Sequence, residues 1–158
     1  MILRIAALAL AMALIPAPAG AKVAVTQSCS ENVPPVATAP LTAVRGGAVR
    51  GRVELHRDTC HQYWAYLKLN APVPDMDSRA TAVLVVWEDG IQQPGYTCNS
   101  TGGNGYIVTG QTSCRTGKVS WVLIDGFQAT AHYDTRVDDG QPWYGIATGR
   151  TVKVPGSL

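Results

Sequence analysis

Two stretches of strict alternation lie back to back in the chain. Val53 and Leu55 alternate with Arg52, Glu54 and His56; Ala65, Leu67 and Leu69 alternate with Trp64, Tyr66 and Lys68. A period of two marks strands with one buried face, so strands are predicted over 48–57 and 63–69. The polar run Arg57-Asp58-Thr59 turns the chain between them, and Cys60 can pin that corner elsewhere. The stretch 80–87 (ATAVLVVW) is β-branched, continuously apolar and stopped by Glu88-Asp89-Gly90, which predicts a buried central strand. Further strands are predicted over 91–96, weakened by Pro94-Gly95, and over 106–110, 118–125, 127–133, 143–147 and 150–154. After residue 21 no segment sustains a helical period. Short strands at close, turn-punctuated spacing predict an all-β fold, a small antiparallel β-sandwich or barrel.

The front of the chain reads differently. Arg4 precedes an apolar run from Ile5 to Ile15, broken by Pro16 and Pro18, and Ala19-Gly20-Ala21 is a small-residue cleavage site. This three-part pattern predicts a cleavable signal peptide over 1–21, too short in its apolar part to span a bilayer. Residues 22–47 carry Pro34, Pro35, Pro40 and Gly46-Gly47 and predict an irregular leader, with a short edge strand at Ala24-Val25-Thr26. The β-domain is then 48–158. The predicted location is secreted and extracellular, with no membrane association after cleavage and a monomeric state.

An exported chain with four cysteines changes the energetics. Cys29, Cys60, Cys98 and Cys114 are even in number and predict two disulfides. Four cysteines allow three pairings, and sequence alone does not choose. The favoured pairing is Cys98–Cys114, closing a glycine-rich loop, with Cys29–Cys60 tying the leader to the central hairpin. No C-x-x-C or zinc spacing is present, so neither metal nor cofactor is expected. Formal charge is +2 with Lys and Arg scattered, which argues against nucleic acid as a partner.

Candidate chemistry is sparse. The three histidines are His56, His61 and His132, and neither a G-x-S-x-G elbow nor an H-E-x-x-H motif occurs. Cys60-His61 suggests a thiol nucleophile only if Cys60 is reduced. Asp75, Asp77, Asp138 and Asp139 sit in turns but complete no calcium loop. Gln62-Tyr63-Trp64 and Gln141-Pro142-Trp143 are both Q-x-W, the triplet that recurs in ricin-type β-trefoil lectins. A middle copy near 101–104 is missing. Asn99-Ser100-Thr101 is a glycosylation sequon, relevant only in a eukaryotic secretory pathway. Trp64, Trp87 and Trp121 are expected in the core. Trp143 and Tyr144, beside a polar turn, are the expected exposed pair, and Asn104 belongs to the glycine-rich loop 99–105.

The stretch Val53-Glu54-Leu55, Asp58-Thr59-Cys60 and Trp64-Ala65 resembles the YjfA-like family of small secreted bacterial proteins of unknown function. Trp121-Val122-Leu123-Ile124-Asp125-Gly126 with Ala129 and Ala131 is similar to that family's second block. The front departs from it: the family opens on a Cys-rich segment, and here only Cys29-Ser30 precedes Glu31. The resemblance implies secretion and a compact β-fold, and it implies no activity. The functional expectation is a non-catalytic extracellular or cell-envelope binding module, its partner an envelope glycan or an extracellular protein, using Trp143, Tyr144 and Asn104. Three alternatives accompany it: a trefoil-like carbohydrate binder, a hydrolase using His132 with Asp134 or Asp138, and an inhibitor presenting the Cys98–Cys114 loop as a finger.

Overall fold

The computed structural model describes residues 28–156. The signal-peptide reading and the strand at Ala24-Val25-Thr26 fall outside them. The described chain is all-β: β1 (Ala37–Ala43), β2 (Val49–Arg57), β3 (Gln62–Leu69), β4 (Ser78–Glu88), β5 (Ile91–Gln92), β6 (Tyr96–Thr97), β7 (Ser113–Arg115), β8 (Val119–Ser120), β9 (Gly126–Thr135), β10 (Tyr144–Arg150) and β11 (Val154–Pro155). All ladders are antiparallel, and the strands form one sheet in the order β5-β4-β9-β10-β1-β2-β3-β7. The sheet curls into a half-barrel.

Alternation fills the inside. Val53 and Leu55 from β2, Tyr63, Ala65 and Leu67 from β3, and Leu84, Val86, Phe127 and Ala129 from β4 and β9 are all buried. Large residues meet small ones across the β4–β9 ladder, Leu84 opposite Ala129 and Ala80 opposite Tyr133. Curling brings β3 over β9, and the Tyr63 and Phe127 rings stack with centroids 4.0 Å apart. Phe127 is the chain's single phenylalanine, and burying such a ring contributes roughly 1.5–3 kcal/mol.

Several elements differ from the sequence reading: the strands read over 91–96, 143–147 and 150–154 form instead as the short β5 and β6, the continuous β10 and the two-residue β11, and three further differences follow. The leader contributes β1, a full strand between β2 and β10, with Leu41 wholly buried. Ala37, Ala39 and Leu41 do alternate with Thr38, Pro40 and Thr42, but alanines give a weak hydrophobic signal. Pro40 is tolerated because β10 pairs β1 only at Thr42 and Ala43, leaving one flank of the earlier residues without a ladder. The segment 106–110 is not a strand. Gly105 and Gly110 take positive φ around it, and only isolated bridges form, at Ile107 and Thr109. The segment 118–125 is a strand only at Val119–Ser120. After it the chain turns outward, and Trp121, expected in the core, is exposed.

Curling leaves two sheet edges, at β4 and at β3, and the segment 97–116 joins them. Cys98 N–H donates to Ala82 O (3.1 Å), and Ile107 and Ala80 exchange backbone bonds at 2.8 and 3.0 Å. On the other side Leu69 N–H reaches Thr112 O (2.7 Å), and Thr116 N–H reaches Ala65 O (3.0 Å). Cys98–Cys114 locks the two sides, and both cysteines are buried. Gly103 permits the closest approach, since a Cβ there would sit 2.1 Å from Cys98 O. The second disulfide is Cys29–Cys60, so the favoured pairing is the one formed. The loop is therefore part of the wall and not the projecting finger that an inhibitor would present.

The two bridges differ in exposure: Cys29 is exposed and Cys60 half-buried, whereas Cys98 and Cys114 are not accessible. Dithiothreitol under native conditions is expected to free Cys29 and Cys60 first, read by alkylation and peptide mass mapping. Replacing Cys98 and Cys114 together by serine is expected to lower unfolding stability by about 3 kcal/mol, the chain-entropy value for a loop of this size, measured by urea titration.

Candidate functional site

One end of the barrel is built from the start of β4, the end of β9 and the residues leading into β10. Arg79 opens β4 opposite Asp134 on the outward face. Its guanidinium lies 4.1 Å from the Trp143 ring centroid and 5.0 Å from that of Tyr106. Among the described residues the Arg79 guanidinium makes no hydrogen bond. Its Nε is buried without a partner, and the nearest carboxylate, Asp134, is 3.8 Å away. Arg136 also faces Trp143, at 4.8 Å, but it is held by Asp77 (3.1 Å) and Asp139 (2.6 Å). Met76, Ser78, Arg79, Tyr106, Val108 and Trp143 line a cavity of about 430 Å³ here.

The stacked cation is the chemically unusual feature. Cation–π contact with the two rings contributes about 0.5–2 kcal/mol toward fixing the guanidinium. Asp134 pairs with it only at 3.8 Å, so its terminal NH2 groups suit a further carboxylate.

The anticipated ligand residues do not share this cavity. Trp143 lines it; Tyr144 lines a separate one of about 440 Å³ with Arg45, Arg50 and Ile146. Asn104 is used within the wall: its Oδ1 accepts from Arg115 N–H at 2.7 Å. Arg79 and Tyr106 escaped the sequence reading. Arg79 immediately precedes the apolar run that defined its strand, and Tyr106 was assigned to a strand. The available signal was a lone arginine on the polar phase of an otherwise apolar strand.

A second cluster covers the outer face of β2 and β3. Cross-strand pairs place Glu54 beside Tyr66 and His56 beside Trp64. Glu54 is bonded to Arg52 and to His56 Nε2 (2.7 Å), and His56 stacks on Trp64 at 5.3 Å. Residues 28–36 strap across this face, held by Cys29–Cys60. Lys118 Nζ lies 4.9 Å from the Trp64 ring and 2.8 Å from both Glu31 and Asp58. Asp58 also accepts the N–H groups of Cys60 (3.0 Å) and Gln62 (2.9 Å). Burial alone would raise the Asp58 carboxyl, but Lys118 and these N–H groups outweigh it and hold it below its ordinary range. Burial opposes Glu54 likewise, and the bonds from Arg52 and His56 prevail. Glu31 is lowered chiefly by its hydrogen bond from Lys118.

This cluster holds architecture together. No serine or free thiol faces the Glu54–His56 pair, and Cys60 is oxidised. Among the described residues no group of three or more His, Cys, Asp and Glu could hold a metal ion. His132 lies exposed on the outer face of β9, opposite Thr81 and Thr148, with no carboxylate bonded to it. Asp134 faces Arg79 instead, so the geometry required for a His132 base is not present. The two Q-x-W triplets occupy unlike places, one inside β3 and one in the loop before β10, in a sheet whose strand order shows no three-fold repetition. No protein-family model, curated protein or solved structure matches this chain.

The three lowered carboxyls fix the sign of the acid response. Each contributes stability that is complete above its unfolded value, near 4, and that is lost as pH falls through its folded value. Urea unfolding is thus expected to be flat from pH 7 to about 5 and to weaken below about 4. Lys118→Met leaves the buried Asp58 carboxylate without its cation and is expected to cost about 3 kcal/mol at pH 7, with a shallower acid limb.

Proposed function

We propose that the chain is an exported, monomeric, non-catalytic binding module that captures a carboxylate-bearing glycan of the cell envelope in the Arg79–Trp143 cavity. The observation that carries this reading is the Arg79 guanidinium, set over the Trp143 and Tyr106 rings, without a side-chain hydrogen bond among the described residues and paired with Asp134 only at 3.8 Å. A sugar carboxylate supplies an acceptor for its terminal NH2 groups, Nε being buried. The apolar edges of Met76 and Val108 offer contact for sugar C–H groups. Two disulfides favour an oxidising, extracellular setting, in agreement with the expected signal peptide. The resemblance to YjfA-like secreted proteins fits the same setting.

Isothermal titration against uronate-containing and matched neutral oligosaccharides tests the proposal. Acidic sugars are expected to bind and neutral ones not. Arg79→Gln is expected to weaken binding at least about tenfold, since a hydrogen bond to a charged group contributes about 1.5–3 kcal/mol. Thermal stability should fall only modestly, through loss of the two cation–π contacts and the 3.8 Å Asp134 pair. Equal affinity for neutral sugars, or binding untouched by Trp143→Ala, would sink the idea.

A further inference from the structure

The opposite end of the barrel presents Trp121, Val122 and Leu123 to solvent, at 38%, 60% and 88% exposure. Three consecutive apolar side chains in water are unfavourable unless something covers them. The turn that carries them is fixed in place. Ile124 N–H closes it onto Trp121 O (3.0 Å), and the buried Ile124 side chain anchors it. Asp125 ties it to the barrel: its N–H donates to Trp87 O (2.8 Å), and its Oδ2 accepts Gly90 N–H (2.7 Å). Leu123 holds φ +66°, a left-handed conformation that is strained for a non-glycine residue and serves here to aim it outward.

Charge says what covers the turn. Trp121, Leu123 and Ile124 share a cavity of about 400 Å³ with Glu88, Asp89 and Asp125, and no basic residue lines it. Glu88 and Asp89 are exposed on the β4–β5 hairpin beside the apolar tip. Carboxylates in this position repel the anionic surface of a bilayer. They complement a lysine or arginine flanked by apolar residues.

We propose that the Trp121–Leu123 turn and the Glu88–Asp89 hairpin form a docking surface for an extended protein segment carrying a basic side chain between apolar ones. The apolar turn buries against the partner's apolar residues, and Glu88 and Asp89 receive its cation. This surface is independent of the glycan cavity, which lies at the other end.

Titration of the isotopically labelled full chain with three synthetic peptides tests this: apolar residues flanking lysine, flanking glutamate, or alone. The lysine peptide is expected to shift the Trp121 indole and the 120–125 amides, with at least fivefold tighter binding than the other two. Glu88→Gln with Asp89→Asn should remove that preference. Leu123→Gly should weaken binding severalfold while leaving the melting temperature unchanged or higher, because glycine relieves the positive φ; a Leu123 serving only the fold would not behave so. Equal binding of the lysine and glutamate peptides overturns the proposal, as does no shift at Trp121. Insertion of Trp121 into zwitterionic vesicles, or concentration-dependent self-association through the turn, overturns it in favour of a lipid or a second copy.

Discussion

Closure of the sheet is the constraint on which the other features depend. A curled sheet with free edges at β3 and β4 would expose two rows of backbone donors and acceptors, an invitation to pair with other chains. Here the segment 97–116 bonds to both edges, through Ala80 and Ala82 on one side and Ala65 and Leu69 on the other. It does so with little regular structure, using glycines for close approach and a buried disulfide to hold the two halves in register. The Tyr63–Phe127 stack is possible only because that closure brings β3 over β9.

Once the wall is closed, its inside is filled by Leu, Val, Ala and two stacked rings, and function is pushed to the ends and the outer face. The two ends are chemically opposite. One holds a stacked arginine in an aromatic cavity; the other holds carboxylates beside an exposed apolar turn. Strands of this length keep the two surfaces apart, so one ligand need not displace the other. Taken together, the two proposals describe a module whose dissimilar ends bridge an acidic glycan to a protein.

What could be read from the sequence follows the strength of the alternation. β2, β3, β4 and β9 carry leucine, valine or aromatic residues on one phase, and each was legible. β1 buries one leucine and half-buries two alanines around Pro40, too little apolar area to stand out from a leader. Trp121-Val122-Leu123 misled in the opposite direction: local apolarity implied burial, whereas Ser120 Oγ and the Ile124–Trp121 bond turn the chain away from any neighbouring strand. The disulfides were legible as a preference, because only nearby cysteines close the glycine-rich loop economically. Arg79 was not legible as a site, since its significance lies in Tyr106 and Trp143, which reach it only through the fold.

The outer-face cluster shows why the richest group of ionisable residues is not the best functional candidate. Glu54, His56, Asp58 and Lys118 bond to one another and to backbone N–H groups, so each charge already has a partner. Satisfied networks of this kind hold elements in place, here the strap over β2 and β3. Arg79 is the contrary case. Its guanidinium lies against two rings, makes no side-chain hydrogen bond among the described residues, and is paired with Asp134 only at 3.8 Å. A cation held this loosely within the chain is the one on which an external acceptor can act.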